Sequence, residues 1–468
     1  MKDCSIGSII LAAGKGTRFK SDVPKVMAPL LGKKVIDYIG AELNKFSEKI
    51  NQFEYGLVVG HQKELLQEHL KGEWNHLKKI NFATQEQQLG TGHAVKTFIY
   101  QFEHYKKLDY VIIMCGDTPL LKSEIFERLY HEISKSDSNA VVATFETDNP
   151  HGYGRIIRSE EATQIIEQKD STPEQALVNE VNSGLYIVKA SYLFSHIEKI
   201  KSENAAGEFY LTDLFSGQSN IAYCNFEKTL SFSGINTLAQ LSQVRSVLIQ
   251  RLNSFWMDQG VDIIDPQRTI IEPSVCLSEG TILYPNVRLS GLTSIGINSI
   301  IEDGCVINNS KVGNSVKVLA YSYLEKAEVN NKAAIGPYAR LRPGANIGEE
   351  CKVGNFVEIK KAKLDKGSKV SHLSYVGDAE IGEETNIGCG FITCNYDGAN
   401  KHLTKIGKNS FIGSDVQMVA PVDIGNDAYV GSGSTINKNV PDGAFAIARE
   451  RQVTKEGMAK KFIKNKKK

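Results

Sequence analysis

The 468-residue chain lacks a strong charge of either sign, a long apolar run and any paired-cysteine motif. Its net charge of +1 leaves no global field to draw it onto nucleic acid or a membrane surface. The apolar start "SIGSIILAAG" is short, has no cleavage-site pattern and runs into a polar glycine turn. It therefore reads as neither a signal peptide nor a membrane span. Eight cysteines (Cys4, Cys115, Cys224, Cys276, Cys305, Cys351, Cys389 and Cys394) are scattered without a CxxC pair. In a chain this long they read as reduced, structural thiols, which argues for a cytoplasmic protein. A charge excess exists only at the end: "RQVTKEGMAKKFIKNKKK", Arg451 to Lys468, carries eight Lys/Arg against one Glu. Such a run is more often a solvated tail than a binding site.

The chain is too long for one ordinary core, so two domains or three are expected. Up to about Asn236, short β-rich runs ("SIILAA", "YGLVVG", "YVIIMCGD", "AVVATFE", "SGLYIVKA") alternate with helical patterns such as "EIFERLYHEISKS". Near-continuous Val/Ile runs between helices predict an α/β domain with a largely parallel sheet covered on both faces. Ligands bind such sheets outside the carboxyl ends of the strands. There lie the glycine turn after "IILAA" and the loop "CGDTPL" after "YVIIM", and the two should converge. "TLAQLSQVRSVLIQRLNSFWMDQG" reads as one amphipathic helix linking the halves. The expected boundaries are a first domain over 1–237, a linker helix over 238–260 and a second domain over 261–468.

Beyond the helix a new period begins. Leu283, Leu289, Ile295, Ile301 and Ile307 recur every six residues. The phase slips and resumes at Ile335, Leu341, Ile347, Val353 and Ile359, then again at Ile406, Ile412, Met418, Ile424, Val430 and Ile436. A six-residue period fits neither a 3.6-residue helix nor a simple hairpin; it predicts a parallel β-helix of stacked coils, each aliphatic pointing inward. Between Ile387 and Ile406 the gap widens to nineteen residues around "CGFITCNYDGANKHLT", which predicts a loop leaving the coil.

The stretch "IILAAGKGTRFKSDVPKVMAPL" places Gly14 and Gly16 on a turn with Lys15 and Arg18, and Lys25 behind a proline. Exposed backbone N–H groups and three cations suit a triphosphate. A bare structural turn fits the spacing as well, because neither G-x-x-x-x-G-K-[ST] nor G-x-G-x-x-G is present. Other residues are ambiguous by themselves. Asp117 could be a helix cap, Asn236 a turn residue, Glu167 a surface charge and His372 a structural histidine.

"LAAGKGTR" followed by "PK" resembles the signature of sugar-nucleotide pyrophosphorylases. With "QLGTGHAV", "GDTPLL", "GYGRIIR", "NEVNSGLYIV", "RLRPGA", "VGNFVEIKKAKL", "SHLSYVGDAEIG" and "TCNYDGANK", the chain is similar over nearly its whole length to one bacterial family. That family comprises the bifunctional N-acetylglucosamine-1-phosphate uridyltransferases/glucosamine-1-phosphate acetyltransferases. The resemblance implies a Rossmann-like nucleotidyltransferase domain followed by a left-handed β-helix, packed as a homotrimer with acetyl sites between neighbours. It implies UTP, acetyl-CoA, glucosamine 1-phosphate and N-acetylglucosamine 1-phosphate as substrates, Mg²⁺ as cofactor, and a product feeding peptidoglycan and lipopolysaccharide synthesis. No nucleic-acid or membrane partner is expected.

Carried over residue by residue, the resemblance makes Leu11, Ala12, Ala13, Gly14, Lys25, Cys115, Gly116 and Asp117 nucleotide contacts, with Gln85, Gly90 and Thr91 reading the uracil. Arg18 and Lys25 supply catalytic charge, and Asp117 with Asn236 holds the metal. Gly154, Glu167, Asn182 and Asn236 bind the sugar. In the second half His372 is the base that deprotonates the amine. Arg342, Lys360, Tyr375 and Asn386 hold the sugar phosphate. Cys389, Asn395, Tyr396, Ser414, Ser432 and Arg449 contact acetyl-CoA. Cys389 and Ser432 stand where the family usually has alanine. Glu358, on the strand of Lys360, is a candidate to orient His372. A pyrophosphorylase for another sugar, and a regulatory protein without catalysis, are the competing readings.

Overall fold

The computed structural model describes residues 4–14, 16, 19, 23–75, 77, 80–160, 162–218 and 220–462. Lys15, Arg18 and the last residues of the basic tail lie outside them. The chain divides into two compact units, Met1–Leu248 and Ile249–Lys468.

The first unit is built on a nine-stranded sheet. Its main order is Ile221–Lys228, Ala140–Glu146, Glu180–Lys189, Tyr110–Cys115, Ser5–Ala12, Gln52–Val59 and Ile80–Thr84. Strand pairs around Ser5–Ala12 are parallel, whereas Glu180–Lys189 runs antiparallel to both of its main-order neighbours. Successive side chains on a strand face opposite ways. Accordingly Ile6 and Ile10 enter one core and Ile9 the core on the other face. Helix Val35–Ser47 contributes Ile36, Ile39 and Leu43 to the first core, and Thr91–Gln101 contributes Ala94, Val95 and Phe98 to the second. Two covered faces explain why the strands read as unbroken apolar runs.

The second unit is a stack of three-sided parallel coils. Every strand pairs with the one three strands later through most of the stack, so the pairings run as three ladders. All sixteen periodic aliphatics named from the sequence lie inside, in one continuous core. The phase slip has a geometric cause. Cys276 pairs with Ser294, but Ser294 pairs with Lys311, so the coil shortens by one residue and the inward positions move to Val312, Val318, Leu324 and Val329. The later gap is an insertion. Thr393 still points inward, the chain leaves the coil, and Asn386 then pairs with Phe411 rather than with a residue one ordinary coil away.

Helix Leu238–Asp258 spans the division between the units. Its Leu241, Val244 and Leu248 are buried with Phe19, Leu30, Val35, Leu120 and Ile235 in the first unit. In the second unit, Asn253 Nδ2 donates to Pro266 O at 2.7 Å and Thr269 O at 2.9 Å. Each half of the helix is therefore packed. A fragment ending at Arg251 should melt cooperatively by circular dichroism. One ending at Asn236 should lose on the order of 5 kcal/mol, the burial of three aliphatic side chains at ~1.5–3 kcal/mol each. Equal melting of the two fragments would show that this helix adds nothing to the first unit.

Candidate functional site

Leu11 and Cys115 are register partners at the carboxyl ends of adjacent parallel strands. Gly116 N–H donates to Leu11 O at 2.9 Å, which ties the two following loops together. The convergence expected of the glycine turn and "CGDTPL" is realised. A cavity of about 410 Å³ opens there, lined among others by Leu11, Lys25, Asp117, Gly154, Glu167 and Asn182. A second lobe of about 360 Å³ shares Leu11, Lys25 and Asp117 and adds Ala13, Gly14, Gln85 and Gly90.

Between the lobes sits a compact charge cluster. The Lys25 ammonium donates to Asp117 Oδ2 and, at 2.9 Å, to Asn236 Oδ1. Pro24 precedes the short turn Lys25–Met27 and fixes where the lysine enters. Asn236 stands at the entry to the helix Leu238–Asp258, its N–H held by Gln240 Oε1 at 2.8 Å. Ile235 N–H donates to Asp117 O at 3.0 Å. Asp117 and Asn236 offer hard oxygen donors, and the ammonium between them marks a position that accepts positive charge, so the pair fits a divalent cation. Among the described residues no cluster of three or more His, Cys, Asp or Glu could hold a metal alone. Substrate phosphates would have to complete the shell.

The glycine-turn lobe is shaped by backbone. Gly90 has φ +109°, and a Cβ there would lie 2.5 Å from Phe209 O, so no other residue fits. Gln85 Nε2 donates to Gly90 O at 3.1 Å and faces His93 Nδ1 at 2.9 Å, which leaves its amide oxygen available. Thr91 Oγ1 accepts from Leu211 N–H at 3.2 Å. Burial pushes the Cys115 thiol up to about 12, so it is no nucleophile.

In the other lobe, Glu167 Oε1 accepts from Thr212 Oγ1 at 2.9 Å. Burial nevertheless raises its carboxyl above the usual range, with Asp213, Asp170 and Glu208 adding repulsion. Asn182 N–H donates to Gly154 O at 2.9 Å, and its side chain reaches Tyr186 Oη at 2.7 Å.

On the coil, His372 stands at a corner. Its Nδ1 pairs with Asn355 Oδ1 at 2.8 Å, one coil below in register. This corrects the role expected of Glu358. The Glu358 carboxylate instead accepts from Arg342 Nη1 at 2.8 Å, because those side chains meet on the next face. That face carries Arg342, Lys360 and Tyr375. A neighbouring Lys401 hydrogen bond and charge lower the Lys360 ammonium, and Arg342 lowers it further. Asn386 is not with them; it lies on the preceding face, in register with Lys369 and Phe411.

Above His372, Cys389, Ser414 and Ser432 follow at the same corner, with Asp415 N–H donating to Cys389 O and Gly433 N–H to Ser414 O. Arg449 is exposed by the Gly433 turn. Asn395 and Tyr396 are elsewhere, in the loop that leaves the coil at the far end of the Arg342 face. Asn395 Nδ2 is committed to Asp378 Oδ2, and Tyr396 is exposed.

Four residues escaped the sequence reading. Gln88 Nε2 holds Ala13 O. Asn355 could have been found from the coil register, Lys401 only from the path of the ejected loop. Arg155 is 1% exposed, and burial lowers its guanidinium. It donates to Tyr153 O, to Gln168 Oε1 at 2.7 Å and to Ala176 O at 3.3 Å. It thereby pins the Tyr153–Gly154 wall of the cleft.

Fold and cleft together define a nucleotidyltransferase domain joined to a hexapeptide-repeat transferase domain. The chain matches the family Nucleotidyl transferase over residues 7–262 and Bacterial transferase hexapeptide (six repeats) over residues 403–438. It is 42% identical over 461 residues to the Bifunctional protein GlmU of Pelobacter propionicus, covering 97% of this chain and 98% of that protein. To the Bifunctional protein GlmU of Staphylococcus haemolyticus it is 41% identical, covering 97% and 99%. The chain belongs to the bifunctional GlmU family.

Arg155 yields a test of the cleft wall. Arg155→Met strands three acceptors and should destabilise the first unit by on the order of 3 kcal/mol, read from urea unfolding. Arg155→Lys, with one point donor in place of a fork, should recover only part. Wild-type stability in Arg155→Met would mean the guanidinium holds nothing together.

Proposed function

We propose that this bifunctional enzyme makes UDP-N-acetylglucosamine by two transfers at the two sites described. At the coil, acetyl passes from acetyl-CoA to the amine of glucosamine 1-phosphate. At the cleft, a phosphate oxygen of N-acetylglucosamine 1-phosphate attacks the α-phosphorus of UTP and pyrophosphate leaves. The observation that carries the reading is the Lys25 ammonium held between Asp117 and Asn236 on the cleft floor, between a glycine-turn lobe and a Glu167/Asn182 lobe.

In the first lobe, the turn from Leu11 to Gly14 grips the nucleotide through its backbone, with Cys115 and Gly116 beside it, while the Gln85 amide and the Gly90–Thr91 backbone read the uracil edge. Arg18 adds charge from the glycine-rich stretch. Glu167, Asn182 and Gly154 take the sugar in the second lobe. Both reactants are anionic, so Lys25 acts by alignment and neutralisation. Asp117 and Asn236 hold Mg²⁺, which offsets phosphate charge when bound.

His372 stands where the phosphate-binding face meets the corner column. With Asn355 Oδ1 accepting from Nδ1–H, the Nε2 lone pair is free to take the amine proton as nitrogen attacks the thioester carbon and the CoA thiolate departs. Arg342, Lys360 and Lys401 supply positive charge for the sugar phosphate, with Tyr375 beside them and Asn386 across the corner. Cys389, Ser414, Ser432 and Arg449 line the acetyl-CoA path. Asn395 and Tyr396 sit too far round the coil to join that path within one chain, which supports a homotrimer with the site shared between neighbours. An apolar ridge supports the same assembly: Tyr321, Tyr338, Phe356 and Leu373 stack up one corner, each at least half exposed in the single chain.

The cytoplasm, where UTP and acetyl-CoA are made, is the expected compartment, and the eight cysteines are thiols rather than disulfides. The purified chain should release pyrophosphate from UTP with N-acetylglucosamine 1-phosphate, and CoA thiol from acetyl-CoA with glucosamine 1-phosphate. Absence of either product in folded protein would refute that half of the reading.

Single-site changes should separate the halves. Asp117→Ala should abolish uridylyl transfer and leave acetyl transfer intact; near-normal uridylyl transfer at limiting Mg²⁺ would remove Asp117 from the reaction. His372→Ala should cut acetyl transfer by roughly 10²–10⁴-fold, the usual worth of a general base, and spare UTP chemistry. Asn355→Ala should lower acetyl transfer by a smaller factor, since it loses only the tautomer lock. A wild-type acetylation rate in His372→Ala would put the base elsewhere.

A further inference from the structure

We infer that Phe445 is the stacking platform for the adenine ring of acetyl-CoA, an inference that rests on the acetyl-CoA path assigned above. The argument begins with register. Lys369, Asn386, Phe411, Tyr429 and Phe445 form one column on the flat face. His372, Cys389, Ser414 and Ser432 form a second column three residues later on the same coils. Between Phe411 and Ser414, and between Tyr429 and Ser432, stand one inward aliphatic and one glycine, so no outward side chain separates the columns. Gly413 is required, because a Cβ there would lie 2.5 Å from Ser432 N.

The aromatic column is a true ladder. Phe411 and Tyr429 stack at 4.9 Å and 21°, Tyr429 and Phe445 at 5.6 Å and 29°. Stacked rings cover each other's faces and leave only the end faces free. Phe445–Ala446 is the last strand of its ladder, so the outer face of Phe445 meets no further rung. The residue is 65% exposed. Ile447, two residues on and directed to the same side, is 50% exposed and borders it. Arg449, by the Gly433 turn, supplies a cation for phosphate nearby.

Reach agrees with this end of the molecule. At the ~4.8 Å spacing of paired strands, the Phe445 coil lies four rungs, about 19 Å, above His372. A donor with its thioester at His372 and its arm extended along the seryl column brings its base to the top of the stack. A flat base placed on Phe445 adds one more rung, and such stacking tolerates any π face. A second copy of the chain covering the ladder is the competing occupant.

The test compares two donors on the full-length enzyme: acetyl-CoA, and S-acetyl-pantetheine, which has the arm and thioester but no adenosine. Phe445→Ala should raise KM for acetyl-CoA about tenfold, in the range base–aromatic stacking supplies, with the loss falling on KM rather than kcat. KM for S-acetyl-pantetheine should not move. Phe445→Trp, which keeps a platform, should stay near wild type with both donors. Unchanged kcat with S-acetyl-pantetheine serves as the folding control for the coil. Equal KM changes for both donors, or no change for either, overturn the platform. So does a change in molecular mass by light scattering with KM unaltered, which assigns the ladder to a partner copy. Failure of wild-type protein to use acetyl-CoA at all would instead sink the acetyltransferase reading itself, and the platform with it.

Discussion

A coil that closes in 17 or 18 residues must turn three corners, and that constraint organises the second unit. Each corner forces the backbone into geometry that L residues rarely adopt. Tyr321, Tyr338, Phe356 and Leu373 all have φ between 45° and 59° at one such corner. Left-handed backbone costs ~1–2 kcal/mol per residue. The cost is offset because stacking buries one aliphatic per coil side against its neighbours above and below, from Val261 to Val440. Once the coils are stacked, residues far apart in sequence become neighbours in straight columns. Asn355 meets His372 only because both occupy the same position on successive coils.

The first unit depends on a different economy. Three segments far apart in sequence are drawn together by one ammonium. Lys25 bonds Asp117, 92 residues away, and Asn236, 211 away. None of the three would be cheap to bury alone. Joined, they form a floor on which the ammonium and the carboxylate balance each other. The Lys25 and Asp117 side chains are 18% and 11% exposed, so the pair is sheltered without being sealed. Glu167 shows the same logic from the opposite side. It pays desolvation beside other carboxylates, and Thr212 alone among the described groups donates a hydrogen bond to it.

Much of this was legible in the sequence because it repeats or because it is punctuated. The sixteen periodic aliphatics are inward for the same reason they recur, and the glycine turn and "CGD" sit where parallel strands end. What stayed hidden depends on counting across coils of unequal length. The partner of His372 was sought on the strand of Lys360, where Glu358 is close in sequence. The coil places Glu358 opposite Arg342 and puts Asn355 under the histidine instead. Arg155 escaped because a buried arginine paired only with carbonyl-type oxygens leaves no charge pattern to read. Lys401 escaped because an inserted loop breaks the period that locates everything else.

The corner column also bears on Cys389 and Ser432, the two positions where the family resemblance leads one to expect alanine. Both stand one coil apart from a candidate contact, so their effect passes through stacking and not only through a ligand. The Ser432 hydroxyl accepts from Ser414 N–H at 3.2 Å, a group that an alanine would leave available. In this chain, then, the Ser414 N–H is already engaged by the hydroxyl one coil above it. Cys389 acts one rung above His372, and its carbonyl is taken by Asp415 N–H at 2.7 Å. Its thiol adds a weak donor and a small apolar surface to the corner. Both residues therefore leave the coil spacing to the backbone bonds, and their side chains set only the polarity of this corner.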